Sequence, residues 1–211
     1  LLQDRTAEVI GARSHGELLL SPRLSISSFG AVDSIQLVTR RQLEDVRTVA
    51  LTRQSATSVA LLKTLLKLRF GADVHYGVLE GTVSRGLTAY DAVLVIGDQG
   101  LEALYFPEPD TTCHDLGLLW QEWTGLPMVY AVWAAREDFA CADGAGLLAV
   151  EGELSRCIDY GREHLVEVVE SALGRTRLDR AALSRYFSIL HYDFPPVYQN
   201  GLVRFYELAH E

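Results

Sequence analysis

Short strand-like runs alternate with helical stretches along much of this sequence, and that alternation is typical of the α/β class of folds. The most apolar run, Ala92–Ile96, has the length of a strand and carries no polar side chain. We therefore expect it to be a central strand that is covered on both faces of its sheet. The other strand-like runs are Ser34–Val38, Val49–Leu51, Val74–Leu79 and Met128–Ala134.

Helices are predicted from the spacing of apolar residues. Such residues recur at three- and four-residue steps from Val59 to Phe70, and Gly71 follows where a left-handed C-cap is needed. Asp115 is placed to cap a helix over Leu116–Trp123. The remaining predicted helices are Gln99–Tyr105 and, in a tail without strand signals, about Glu151–Leu173, Leu178–Tyr192 and Tyr198–His210, with Tyr192–Pro196 as a turn between the last two.

Charge and cysteine content exclude several classes of protein. The formal net charge is −9, without a run of Lys and Arg, so neither nucleic acid nor an anionic membrane is an expected partner. The three cysteines are too widely spaced for a disulfide framework or paired zinc ligands, and we expect reduced thiols. The nucleotide-binding, zinc-protease and serine-hydrolase motifs are absent from the sequence. We expect no metal ion and no cofactor.

Three hydroxyl residues, Ser55, Thr57 and Ser58, stand where the strand Val49–Leu51 gives way to a helix. The first turn of a helix has unpaired backbone N–H groups, and hydroxyl groups beside them can help to hold an anion such as a carboxylate. The alternative is that one hydroxyl only caps the helix. A cap needs a single hydroxyl, whereas this turn has three.

Two further segments are candidates for ligand contact. Ser27 and Ser28 lie in a hydroxyl cluster at Ser25–Gly30, which is either part of the same site or a solvated loop. Gly97 and Asp98 directly follow the central strand, at the position where open α/β sheets bind ligands. Asp98 could contact substrate and transfer a proton, or it could be the N-cap of the next helix.

Other conspicuous residues have ordinary interpretations. Cys113–Asp115 contains nucleophile and metal-ligand residue types, but adjacency in sequence does not make such groups converge, so we predict a loop. The core is expected to contain seven aromatic residues of the second half, Trp120, Trp123, Trp133, Tyr186, Phe187, Tyr192 and Phe194. The residues alone therefore indicate a two-lobed α/β protein that binds a small anion.

Short motifs in a fixed order run through nearly the whole chain. They are Ser25–Gly30 with Ser34–Leu37, Gln54–Ser58, Ile96–Leu101, Asp115–Trp120, Thr124–Trp133 and Gly201–Phe205. Together they resemble the chorismate dehydratase family of the futalosine route to menaquinone.

This resemblance implies the type II periplasmic-binding-protein fold, in which two α/β lobes joined by two crossing strands enclose the ligand cleft. The crossings would be Ser34–Arg40 and Met128–Ala134. Residues 1–38 and 130–211 would form the first lobe, and residues 39–129 the second. Members of the family begin with a further strand and helices, and we expect that part of the first lobe to be missing from this sequence.

The resemblance also implies a reaction, the 1,2-elimination of water from chorismate to give 3-[(1-carboxyvinyl)oxy]benzoate. Thr57 and Ser58 would anchor carboxylates with help from Ser55, and Ser27, Ser28 and Gly97 would complete the substrate site. Asp98 would be the catalytic residue. The protein would be a cytoplasmic lyase acting on a small molecule, and a homodimer is compatible with the sequence.

Two alternatives stay open. A sister family, the dihydroxynaphthoate synthases, has a His just after the strand that corresponds to Ala92–Ile96, where this chain has Gly97. The other alternative is a solute-binding module that holds an aromatic or dicarboxylate anion without converting it, because fold alone does not separate binding from catalysis.

Overall fold

The computed structural model describes residues 18–211, whose strands form two sheets. The strands are β1 (Leu18–Ser28), β2 (Ile35–Thr39), β3 (Thr48–Leu51), β4 (His75–Val78), β5 (Ala92–Ile96), β6 (Thr112–Asp115), β7 (Met128–Arg136) and β8 (His191–Asp193). One sheet has the order β7-β1-β8, and the other has the order β4-β3-β5-β2-β6.

Helices connect and cover these strands. They are α1 (Ala56–Thr64), α2 (Val83–Ala89), α3 (Asp98–Tyr105), α4 (Leu116–Thr124), α5 (Glu137–Ala142), α6 (Gly144–Glu163), α7 (Leu165–Leu173), α8 (Arg180–Ile189) and α9 (Pro196–Ala209). Helix α1 continues as a π-helical turn over Leu65–Arg69, and Gly71 follows with a φ of +61°, as the sequence predicted. The predicted helix Glu151–Leu173 is in fact two helices, which meet at His164.

The five-stranded sheet has β5 at its centre, as predicted. Ala92 and Leu94 pack into the core cluster that contains α1, whereas Val93 and Val95 pack into a cluster on the opposite face that contains Leu87 of α2. Both faces of β5 are therefore covered, which explains why its sequence is a continuous apolar run rather than an alternating one.

The three-stranded sheet corrects two predictions. Ser25, Ser27 and Ser28 lie in β1 and are fully buried, so the alternative of a solvated loop is wrong for them. His191–Asp193 is a strand that pairs with β1, where the sequence predicted the end of a helix and a turn. The residues that pair between β1 and β8 are more than 160 positions apart in the sequence. Such distant pairing cannot be recognised from the pattern of neighbouring residues.

A third correction concerns Cys113–Asp115, which was predicted as a loop. These residues belong to β6, whose backbone pairs with β2. The strand is only four residues long and forms an edge of its sheet, so it shows no alternation of apolar residues that the sequence analysis could use.

The chain passes between the two sheets at residues 29–34 and again at residues 125–127, which we call the first and second crossing segments. They differ from the predicted crossings, because all of β2 pairs within the five-stranded sheet, and β7 pairs with β1. The predicted lobe boundaries, after residues 38 and 129, stay a prediction. In both places the chain passes from one sheet to the other a few residues before the predicted boundary.

Helix backbones pack closely on both crossing segments at glycine residues. A side chain on Gly117 of α4 would collide with the Gly30 carbonyl oxygen and the Tyr130 hydroxyl, and one on Gly201 of α9 would collide with the Pro127 carbonyl oxygen. These two glycines therefore let α4 and α9 approach segments that connect the sheets.

One core joins the two sheets. Its buried members include Leu37 of β2, Leu62 of α1, Trp120 of α4, Met128 of β7 and Phe205 of α9. The Trp120 and Phe205 rings meet edge to face with their centroids 5.9 Å apart. A single apolar cluster thus contains residues of both sheets and of the helices beside them.

Candidate functional site

The register of the five-stranded sheet brings several helix starts to one edge. Ile35 at the start of β2 pairs with Ile96 at the end of β5, and Gln36 pairs with Asp115 at the end of β6. Strand β3 runs parallel to β5, so its carboxyl end lies at the same edge. Helices α1, α3 and α4 begin there, beside the first crossing segment. This is the edge at which α/β sheets bind ligands.

A cavity of about 440 Å³ lies beside the start of α1, between that helix, β7 and α9. Apolar side chains make up most of its wall, as is usual for small-molecule sites. It is lined by Ala56, Thr57 and Ala60 of α1, by Val129, Tyr130, Ala131 and Val132 of β7, and by Leu202, Phe205, Tyr206, Ala209 and His210 of and beside α9.

Thr57 is the predicted site residue that lines this cavity. It is half-buried in the first turn of α1, where backbone N–H groups have no partner within the helix. A carboxylate in the cavity would meet the Thr57 hydroxyl and the positive end of the helix dipole together.

Ser55 and Ser58 have a structural role in the same turn. The Ser55 hydroxyl oxygen accepts a hydrogen bond from the Ser58 N–H at 3.1 Å and donates one to the Ser58 hydroxyl oxygen at 2.9 Å. Ser55 is therefore the N-cap, which was the alternative for one of the three hydroxyls. Ser58 is buried and is not among the residues that line the cavity. Ligand binding by either serine stays a prediction.

Ser27 and Ser28 use their hydroxyl hydrogens within the protein. Ser27 donates to the His191 carbonyl oxygen at 3.2 Å, and Ser28 donates to the Gly30 carbonyl oxygen at 3.0 Å. A hydroxyl has one hydrogen, so the 2.9 Å contact between Ser28 and Tyr130 is a bond in which the tyrosine donates. Substrate binding by Ser27 or Ser28 stays a prediction, and it requires a hydroxyl to leave its present partner.

Gly97 and Asp98 form the start of α3. Gly97 is the N-cap residue, with a φ of +59° that suits glycine, and Asp98 is the first helical residue. The alternative that Asp98 caps this helix is therefore wrong. Its exposed carboxylate lies at the positive end of the α3 dipole. Both residues lie at the predicted edge of the sheet, but neither lines the cavity described above.

Residues 9–211 match a protein family described as Menaquinone biosynthesis. The chain belongs to this family. It is 42% identical over 133 residues to the chorismate dehydratase of Thermus thermophilus, a match that covers 56% of this chain and 48% of that relative. The chain thus spans about half the length of the curated relative it matches. The resemblance predicted from the sequence motifs is confirmed.

Solved structures confirm the predicted fold. Protein AF1704 from Archaeoglobus fulgidus superposes with a TM-score of 0.66 at 21% identity, over 91% of this chain and 71% of that chain. The periplasmic aliphatic sulphonate binding protein SsuA from Escherichia coli superposes with a TM-score of 0.60 at 14% identity, over 97% and 65%. This member of the menaquinone biosynthesis family therefore has a solute-binding-protein fold.

Sequence reasoning about this family member missed three polar residues of the cavity, Tyr130, Tyr206 and His210. Tyr130 lies in a strand and Tyr206 in a helix, and nothing in the local sequence marks either residue as part of a cavity. Burial raises the pKa of the Tyr130 phenol, which stays protonated and donates to Ser28.

Asp115 also has a larger role than the predicted helix cap. It caps α4 through the Leu118 N–H at 3.0 Å, and it accepts from the Asp33 N–H at 2.7 Å and the Val32 N–H at 3.0 Å. Burial raises the pKa of this carboxyl group, although the backbone donors act in the opposite direction. One carboxylate therefore fixes both the start of α4 and the first crossing segment.

The part of the chain that the structure describes contains no group of three or more His, Cys, Asp or Glu residues that could hold a metal ion. None of the helices over residues 18–211 is long and apolar enough to cross a membrane. The cavity of this family member has no Lys, Arg, Asp or Glu among its lining residues. An anion in it would be held by neutral hydrogen-bond donors, a helix dipole and the imidazole of His210.

Proposed function

We propose that the protein is a chorismate dehydratase. The observation that carries the proposal is the combination of a cavity at the start of α1 with 42% identity to a relative of that name. The reaction removes the proton from C3 and hydroxide from C4 of chorismate, and the electrons of the C3–H bond form the new ring double bond. The products are water and 3-[(1-carboxyvinyl)oxy]benzoate, and aromatisation drives the reaction forward.

Catalysis requires the site to anchor a dianion, orient the C3–H bond and the leaving hydroxyl, and protonate the departing oxygen. Thr57 is the proposed anchor because it combines a hydroxyl, the free N–H groups of a helix start and a place on the cavity wall. Asp98 is the proposed proton-transfer residue, since its carboxylate lies at the ligand-binding edge of the sheet and is exposed.

We also propose that the reaction takes place in the cytoplasm, as a step of the futalosine route to menaquinone. The family description supports a role in menaquinone biosynthesis. A dianion does not cross a lipid bilayer unaided, so the enzyme has to work in the compartment in which chorismate is available.

A second candidate function, a solute-binding module, is favoured by the structural relatives. SsuA is a periplasmic binding protein, and a protein from Parabacteroides distasonis described as an ABC transporter superposes with a TM-score of 0.52 at 13% identity, over 96% of this chain and 78% of that chain. A binding module would hold an aromatic or dicarboxylate anion in the same cavity and release it unchanged.

Incubation of the full-length protein with chorismate separates the two functions. A dehydratase converts chorismate to an aromatic acid, which is followed by absorbance and identified by mass as chorismate minus one water. Thr57→Val should slow the conversion at low substrate concentration. Recovery of bound but unchanged chorismate from a folded preparation would instead identify a binding module.

A further inference from the structure

The polar groups of the cavity come from two helices and a strand. Thr57 is on α1, whereas Tyr206 and His210 belong to α9 and the residue that follows it. The fourth polar residue, Tyr130, already donates its hydroxyl hydrogen to Ser28. Hydrogen-bond donors from α1 and from the end of α9 therefore line the same cavity.

Tyr206 is half-buried, and its ring packs against that of Phe205, with the centroids 5.8 Å apart. Within residues 18–211, the Tyr206 hydroxyl takes part in no hydrogen bond with a side chain or backbone group, and it is not a buried atom, so it remains accessible. Burial raises the pKa of the phenol, so it keeps its proton at neutral pH. A protonated phenol without a partner can donate to a carboxylate.

His210 stands one helical turn after Tyr206, and Leu202 stands one turn before it, so all three lie on one face of α9 and its C-cap. The end of this helix is held in place by Lys67, whose Nζ donates to the Glu211 carbonyl oxygen at 2.8 Å. His210 is exposed at the rim of the cavity, where its imidazole can reach a bound anion.

We propose that Tyr206 and His210 form a second anion contact in the cavity and select aromatic dicarboxylates over aromatic monocarboxylates. This inference rests on the proposed function, whose substrate and product each carry two carboxylates. One carboxylate would lie at the start of α1 and the other against α9. The cavity volume of about 440 Å³ suits a single substituted ring with both groups.

Two probes that differ by one carboxylate test this assignment in the full-length protein. They are 3-(carboxymethoxy)benzoate, which has two carboxylates, and 3-methoxybenzoate, which has one. Titration calorimetry should show that the wild-type protein prefers the dicarboxylate. Tyr206→Phe should reduce the affinity for the dicarboxylate about tenfold or more, as expected for a lost hydrogen bond to a charged group. Its affinity for the monocarboxylate should stay within about twofold of wild type.

Tyr198→Phe is the matched control, because Tyr198 is on the same helix but does not line the cavity. It should leave both affinities unchanged. The double variant Tyr206→Phe/His210→Ala should bind the two probes about equally. Equal melting temperatures for the variants and wild type show that the effect is on binding.

Three outcomes would overturn the assignment. The Tyr206→Phe and double variants could keep the wild-type preference for the dicarboxylate, or they could lose affinity for both probes equally. The wild-type protein could also bind the two probes equally well. These outcomes do not depend on turnover. A protein that binds the dicarboxylate through α9 but leaves chorismate unchanged would contradict the proposed reaction and retain the second anion contact.

Discussion

Thr57 and Ser58 are neighbours in the first turn of α1, yet their hydroxyl groups have different surroundings. Thr57 lines the cavity, whereas Ser58 is buried and accepts a hydrogen bond from Ser55. The sequence predicted the hydroxyl-rich turn and its position at a strand-to-helix junction correctly. It could not predict which hydroxyl lines the cavity, because that depends on where β7 and α9 pack.

The pair Thr57→Val and Ser58→Ala should separate binding from stability. Thr57→Val keeps the shape of the side chain but removes a hydrogen bond to a charged group. The affinity for 3-(carboxymethoxy)benzoate should therefore fall about tenfold. Ser58→Ala should lower the free energy of unfolding by about 1 kcal/mol and leave the affinity near wild type. Calorimetry and urea unfolding measure the two effects. A large loss of affinity in Ser58→Ala would show that its hydroxyl turns toward the ligand.

Asp98→Asn tests the proposed proton transfer. Because Gly97 is the N-cap, this substitution removes no cap and should cost only a few tenths of a kcal/mol through the helix dipole. Turnover of chorismate should fall roughly 10²- to 10⁴-fold if the carboxylate acts in general acid–base catalysis. Melting temperature and turnover are measured on one preparation. Wild-type turnover would remove Asp98 from the reaction.

At the scale of elements, Asp91 joins the start of β5 to the start of β3. Its carboxylate, 17% exposed, accepts from the N–H groups of Arg47 and Thr48 at 3.0 Å each and pairs with Arg41 at 2.7 Å. Partial burial disfavours the charged form, but the backbone donors and Arg41 outweigh it, and the pKa of Asp91 is lowered.

This lowered pKa predicts a pH-dependent contribution to stability. The pKa of an Asp carboxyl group in the unfolded state is about 3.9. Because the pKa of Asp91 is lower in the folded state, its charged carboxylate stabilises the fold above about pH 3.9, and this stabilisation is lost as the pH falls through the folded-state pKa. Asp91→Asn should therefore lower the free energy of unfolding by about 1 kcal/mol between pH 7 and 5. The difference should shrink below about pH 4. Urea titrations of both proteins across this range measure it, and a difference independent of pH would contradict the prediction.

The elements that the sequence predicted are those with strong local patterns. Strand β5 is a continuous apolar run, and α4 has both Asp115 as its cap and Gly125 at its end. Three strands were missed: β1 contains several serines, β6 is a short polar run, and β8 has only three residues. Their conformation is fixed by partners elsewhere in the chain, which no local pattern reveals.

At the scale of the whole molecule, the first crossing segment is held from both sides. Asp115 of β6 binds its backbone, and the buried Asp33 carboxylate accepts from Arg185 of α8 at 2.8 and 3.2 Å. Asp33 has a φ of +57°, which an L-residue seldom adopts without such support. The segment that connects the sheets is thus fixed by contacts from the end of β6 and from α8.

Asp115→Ala should be strongly destabilising, because it removes a helix cap and leaves the buried N–H groups of the first crossing segment without their acceptor. We expect a loss of about 3 to 5 kcal/mol in the free energy of unfolding. Asp143→Ala is the matched control, since Asp143 caps α6 through the Gly146 N–H but is exposed and makes no contact with a crossing segment. It should cost about 1 kcal/mol. Equal losses in the two variants would contradict the role assigned to Asp115.

The pairing of β1 has a consequence for the time course of biosynthesis. About 100 residues separate β1 from β7, and about 160 separate it from β8. At about 5 to 20 residues per second, the ribosome needs roughly 5 to 20 s to deliver the first partner and up to about 30 s to deliver the second. During this interval both edges of β1 lack the strands that later cover them. Among the strands of residues 18–211, those of the five-stranded sheet are all translated by residue 115, so the three-stranded sheet, which contains β1, is completed later.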